Sequence, residues 1–155
     1  APYTEIAMNS VDSFLDAAPV ADWRSYPIHV ALVGVQTAND HVAVTWSDAR
    51  VSPFHHQWLR DNCSCSQCVY SVTREQLFEI VDVPPELHPQ RTRIDEQGQL
   101  LIDWQDGHHS RFHPGWLRAH AYDDASRAER LAQRPQSRLW GAEMSAQLAQ
   151  FIQHL

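Results

Sequence analysis

Apolar and polar residues alternate along residues 41–46, HVAVTW, while residues 100–104, LLIDW, are apolar but for one aspartate; both patterns predict β-strands. Turn chemistry follows each, SDAR at 47–50 and QDGH at 105–108, with Gly107 free to take a positive φ. A short return strand and a compact helix, HHQWLRDN or HPGWLRAHA, come next. Pro114 suits a first helical turn, where the N–H it lacks would have no partner. Set without a gap, residues 46–60 (WSDARVSPFHHQWLR) and 104–118 (WQDGHHSRFHPGWLR) agree at Trp46/Trp104, Asp48/Asp106, Ser52/Ser110, Phe54/Phe112, His55/His113, Trp58/Trp116, Leu59/Leu117 and Arg60/Arg118. From residue 46 to residue 104 the offset is 58, and it is the same for every pair. Self-similarity of this kind predicts a repeated unit, here strand, turn, strand, short helix.

The flanking pattern is less regular. PIHVALVGV (27–35) predicts another strand, and QLFEIVDV (76–83) suits either strand or helix until Pro84 and Pro85 stop it. TRIDEQGQLLIDW predicts a hairpin around Gln97 and Gly98, and DDASRAERLAQR (123–134) a helix that ends before Pro135. In the last stretch Met144, Leu148, Phe151, Ile152 and Leu155 share one helical face, which needs a partner. The expected organisation is an extension over 1–24, a β-rich domain over 25–122 and a helical connector over 123–155.

Composition narrows the class. With 155 residues, 43% hydrophobic, 6 Trp and 5 Phe, the chain can bury one core. A net charge of −7 argues against nucleic acid or an anionic membrane as partner, since both call for a basic surface. No apolar run approaches the ~20 residues of a membrane span. The opening residues also lack the basic-then-apolar pattern of a secretory signal. A cytoplasmic location is the expectation.

All three cysteines fall within six positions of WLRDNCSCSQCVY, as Cys63-x-Cys65-x-x-Cys68. Clustered thiols in a reducing compartment point to metal ligation rather than disulfides. Nothing sets one of them beside a base, as a catalytic thiol would need. Tetrahedral zinc takes four donors, so one is missing. His55 and His113 occupy matching places in both units and are better read as scaffold groups at the start of each helix. His56, His88, His108, His109 and His120 remain open as the fourth ligand. His108, where the first unit has Arg50, is favoured because a hairpin turn presents an imidazole rigidly. His109, its neighbour, would face the other way along a strand.

The motifs WLRDNCSCSQC and WQDGHHSRFHPGWLRAHAY resemble the N-terminal domain of the γ-butyrobetaine hydroxylase family, which includes trimethyllysine hydroxylase, over roughly residues 25–140. The resemblance implies a zinc ion held by Cys63, Cys65, Cys68 and His108. The predicted elements make an α+β fold, a small β-rich domain built from the duplicated unit with a C-terminal helical connector. The resemblance further implies a role beside an oxygenase domain, supporting a homodimer and the substrate entrance. Enzymes of the family are Fe(II)- and 2-oxoglutarate-dependent dioxygenases of carnitine biosynthesis, assisted by ascorbate, with a His-x-Asp/Glu…His iron triad. No histidine here is followed two residues on by an acid, so iron and 2-oxoglutarate are expected only in a catalytic domain outside these 155 residues. The chain by itself is expected to hydroxylate nothing. The competing reading is a stand-alone module that binds an iron–sulfur cluster or assists iron–sulfur proteins, since histidine can replace a cysteine ligand there.

Overall fold

Strands β1 (Leu32–Thr37), β2 (His41–Trp46) and β3 (Val51–His55) form one antiparallel sheet in that order, and helix α1 (His56–Asp61) follows directly. A second antiparallel sheet is built from β4 (Pro89–Ile94), β5 (Leu100–Trp104) and β6 (His109–Phe112), followed by α2 (Pro114–His120) and α3 (Asp124–Ala132). The computed structural model describes residues 26–137 together with 141, 145 and 146. The expected N-terminal extension over 1–24 and the apolar face from Met144 to Leu155 lie outside the described residues.

Each sheet contains one strand more than the predicted unit, because β1 and β4 pair with the outer sides of β2 and β5. The central register repeats at the 58-residue offset. Val42 pairs with Phe54 and Val44 with Ser52, just as Leu100 pairs with Phe112 and Ile102 with Ser110. Strict alternation along β2 and β5 sends Val42, Val44, Trp46, Leu100, Ile102 and Trp104 into one shared core with Phe54, Phe112, Leu59 and Leu117. Burying each such side chain contributes roughly 1.5–3 kcal/mol.

Two buried tryptophans bring polar N–H groups into that core, and each is met by a serine. Trp46 Nε1 donates to Ser52 Oγ at 3.0 Å, and Trp104 Nε1 to Ser110 Oγ at 2.8 Å. The hairpin turns also match. Ala49 N donates to Trp46 O and Gly107 N to Trp104 O, while Asp48 and Asp106 accept the backbone N–H two residues on. Both turns need a residue in the left-handed region, which is Gly107 at φ 80° and Ala49 at φ 65°. An alanine there costs about 1–2 kcal/mol that glycine does not.

The helices join the two sheets. Arg118 of α2 donates to Asp48 in the first sheet's turn at 2.7 Å. Ser52 donates to Asp123 at 2.7 Å, and Asp123 in turn caps α3 through Ser126 N. His113 caps α2 by accepting from Trp116 N, as a scaffold histidine should. His55 differs: its side chain caps nothing, stacks on Tyr122 and hydrogen-bonds the Tyr122 hydroxyl.

Residues 76–83 form neither a strand nor an α-helix. An isolated bridge at Gln76 and a single 3₁₀ turn, Ile80–Asp82, develop there, with Val81 85% exposed. The apolar residues there are divided: Phe78 packs on the cysteines and Val83 on the main core, so no continuous face is buried.

Candidate metal centre

Helix α1 ends at Asn62, whose N–H and side-chain amide both return to the Trp58 carbonyl. The chain then turns so that Cys63 N reaches Arg60 O. A tight loop closes when Cys68 N and Val69 N both donate to Cys65 O, at 3.0 and 2.9 Å. Short, small residues (Ser64, Ser66) allow this curl, which turns the three thiols inward. All three are buried, and Val69 and Phe78 pack over them. Leu77 N donates to Cys68 O and Val69 bridges Gln76, so a small flap ties the loop from its far side.

From the second sheet, the turn after Trp104 presents His108. Its N–H is held by Asp106 Oδ1 at 3.0 Å and its carbonyl accepts from Trp104 N at 2.9 Å. With the backbone fixed at both ends, Nε2 lies 3.3 Å from Cys63 Sγ and 3.5 Å from both Cys65 Sγ and Cys68 Sγ. The four donor atoms all fall within 4.8 Å of one another.

These separations can be compared with a coordination sphere. Metal–sulfur bonds of 2.3 Å and metal–nitrogen bonds of 2.0–2.1 Å at tetrahedral angles put nitrogen and sulfur about 3.5 Å apart. The three measured nitrogen–sulfur distances match that edge. A cluster of several irons spreads its protein ligands over different metal atoms and would not leave one nitrogen nearly equidistant from three sulfurs. The donor set therefore fits a single thiophilic ion.

Electrostatics agree. The Cys63 thiol is pushed up because it donates to Cys65 and Cys68, and hydrogen bonds from Cys63 and Cys68 hold Cys65 far below the usual thiol range. Burial works against charge on His108, but hydrogen bonds to Cys65 and Cys68 raise its pKa to about 9. Both shifts favour a charged Cys65 beside a charged His108. A divalent cation held by Cys63, Cys65, Cys68 and His108 would displace the protons of these groups.

The other candidate histidines are engaged elsewhere. His56 Nδ1 meets His88 Nδ1 at 3.2 Å and its ring packs edge-on to Trp104. His109 faces away, as strand alternation requires, and hydrogen-bonds Asp103. His120 stacks on Trp116 and bonds its carbonyl. Arg60 was missed by sequence reasoning. Arg118, at the matching place in the second unit, meets the Asp48 carboxylate, whereas Arg60 Nη1 donates to Cys68 Sγ at 3.1 Å. Its place three residues before Cys63 was the available signal. Among the described residues no helix is long and apolar enough to cross a membrane.

Comparison with known proteins places the chain in a family. The family described as "Gamma-butyrobetaine hydroxylase-like, N-terminal" matches residues 33–94. Gamma-butyrobetaine dioxygenase of Pseudomonas sp. (strain AK-1) is 52% identical over 121 residues, covering 78% of this chain and 32% of the relative. Trimethyllysine dioxygenase of Meyerozyma guilliermondii is 34% identical over 86 residues, 54% of this chain and 21% of the relative. Human gamma-butyrobetaine dioxygenase is 31% identical over 105 residues, 65% and 26%. The aligned part of the chain thus spans at most about a third of these curated relatives. It belongs to the gamma-butyrobetaine hydroxylase-like family, as the N-terminal domain.

Proposed function

We propose that Cys63, Cys65, Cys68 and His108 hold one zinc ion as a structural centre. On this reading the chain is the amino-terminal part of an Fe(II)- and 2-oxoglutarate-dependent γ-butyrobetaine dioxygenase. There it braces the substrate entrance and supports a homodimer, in the cytoplasm. The observation that carries the zinc reading is the near-equal spacing of one imidazole nitrogen from three sulfurs. Four protein donors leave no open position, so the ion would neither activate water nor bind substrate. It would act through folding instead, clamping the loop after α1 to the turn between β5 and β6. The constant 58-residue offset of core pairs supports descent of the two sheets from one duplicated unit.

Structural zinc can contribute ~10 kcal/mol or more to the folding of a small domain. Exhaustive chelation should therefore lower the thermal midpoint sharply, and stoichiometric zinc should restore it. An unchanged midpoint in a metal-free sample rejects the structural role. A brown sample with iron and labile sulfide would instead establish the iron–sulfur reading.

A further inference from the structure

We propose that Arg60 is the charge partner of this centre, setting both its net charge and the electron density on the Cys68 sulfur. The inference rests on the zinc reading above and extends it to a residue outside the ligand set. Three thiolates, one neutral imidazole and a divalent cation sum to one negative charge. Around the buried sulfurs such a charge is costly unless it is paired. Arg60 supplies the opposite charge at contact distance, with Nη1 3.1 Å from Cys68 Sγ. Its guanidinium carbon lies 4.7 Å from the centre of the Phe78 ring, which packs on the cysteines and fixes the fork in place. The same position in the second sheet's helix underlines the specialisation. Arg118, 58 residues on, meets the Asp48 carboxylate at 2.7 Å and lies over Trp46, where no cysteine is present.

An N–H···S bond from a cation draws density from a thiolate. Cys68 should therefore be a poorer donor to the metal than it would be alone, yet better shielded against protons and competing chelators. The test is cobalt substitution of the 155-residue chain in wild-type, Arg60→Gln, Arg60→Lys and Arg118→Gln forms. Loss of the N–H···S bond in Arg60→Gln should move the sulfur-to-cobalt charge-transfer band to lower energy. Transfer of zinc to a chromogenic chelator should speed up about ten- to a hundredfold, the factor expected for one charged hydrogen bond. Arg60→Lys keeps the charge but loses the fork, so it should fall between wild type and Arg60→Gln. Arg118→Gln should leave both readouts at wild-type values. Should Arg60→Gln not fold, the cobalt band of Arg60→Lys decides. Wild-type band position and transfer rate in every folded Arg60 variant would overturn the role of Arg60 while leaving the zinc centre standing. A wild-type chain that takes up neither zinc nor cobalt would overturn the zinc reading itself.

Discussion

Arg50 and His108 hold the same place in two hairpin turns, 58 positions apart, and each fastens its turn to the segment that follows the other sheet's helix. Arg50 reaches forward to Glu129 of α3 with two hydrogen bonds, at 2.9 and 2.6 Å. His108 reaches back to the three cysteines beyond α1. One clasp is an ion pair open to solvent; the other joins a half-buried imidazole to three buried thiols. The two ends of the domain meet the same mechanical need with different chemistry.

The two clasps should respond differently to disruption. His108→Ala should abolish stoichiometric metal binding and lower the thermal midpoint by tens of degrees, since several kcal/mol at ~4–8 °C each are at stake. Arg50→Gln should give a much smaller drop that fades at molar salt, because exposed charges are screened. Scanning calorimetry at low and high salt checks both. Equal losses at His108 and Arg50 would contradict the division.

Ser52 and Ser110 satisfy buried indole N–H groups. Ser52 also donates to Asp123, while Ser110 hydrogen-bonds the Cys63 thiol. Replacing either by alanine leaves a buried donor unpaired, at a cost of about 1–3 kcal/mol in urea unfolding. Ser110→Ala should in addition weaken metal retention, and Ser52→Ala should not.

The core was the most legible part of the fold. Trp46, Phe54 and Leu59 with Trp104, Phe112 and Leu117 could be paired by offset alone, because strand alternation and short turns preserve register locally. The meeting of His108 with the three cysteines was legible, because one unit has thiols that the other lacks. The partner of Arg60 was not legible because it depends on where the aperiodic loop 62–79 returns, which no period encodes. The same holds for His55, which follows the pattern of His113 but is claimed by Tyr122 from beyond α2. Phe78 sits in a stretch whose apolar residues serve two separate clusters, so neither a strand nor a helix period could emerge.

Glycine substitutions separate backbone strain from crowding. At Gly115 a Cβ would stand 2.7 Å from Tyr26 O and 2.8 Å from Pro27 O, both rigid backbone atoms. Gly115→Ala should cost about 1–3 kcal/mol through forced displacement. At Gly107 a Cβ meets nothing within 4 Å, and Ala49 already occupies the matching turn, so Gly107→Ala should cost only about 1–2 kcal/mol of left-handed strain. Chemical denaturation of the two variants gives the comparison, and a larger loss at Gly107 would contradict it.

Acid should weaken the fold through identifiable groups. Burial lowers the pKa of His56 below 6.5, and the neighbouring His88 lowers it further. A base depressed in the folded state is disfavoured as a cation there. Its contribution is fully present above pH 6.5 and is lost as pH falls through the lower folded value. Burial pushes Asp123 up, but hydrogen bonds from Ser52 and Ser126 outweigh it and hold the carboxyl below 3.8, so its contribution vanishes only in stronger acid. Protons also compete with the metal for the thiolates and the imidazole. Stability measured against pH on metal-loaded protein should decline below pH 6.5, and His56→Gln should flatten that first decline. An unchanged slope in the variant would remove His56 from the account.

X-ray absorption at the metal edge of the purified chain tests the central claim most directly. One zinc per chain, with three sulfurs at about 2.3 Å and one imidazole nitrogen at about 2.0 Å, is the predicted result. A shell without imidazole nitrogen, a metal–metal distance typical of a cluster, or no bound metal would contradict it.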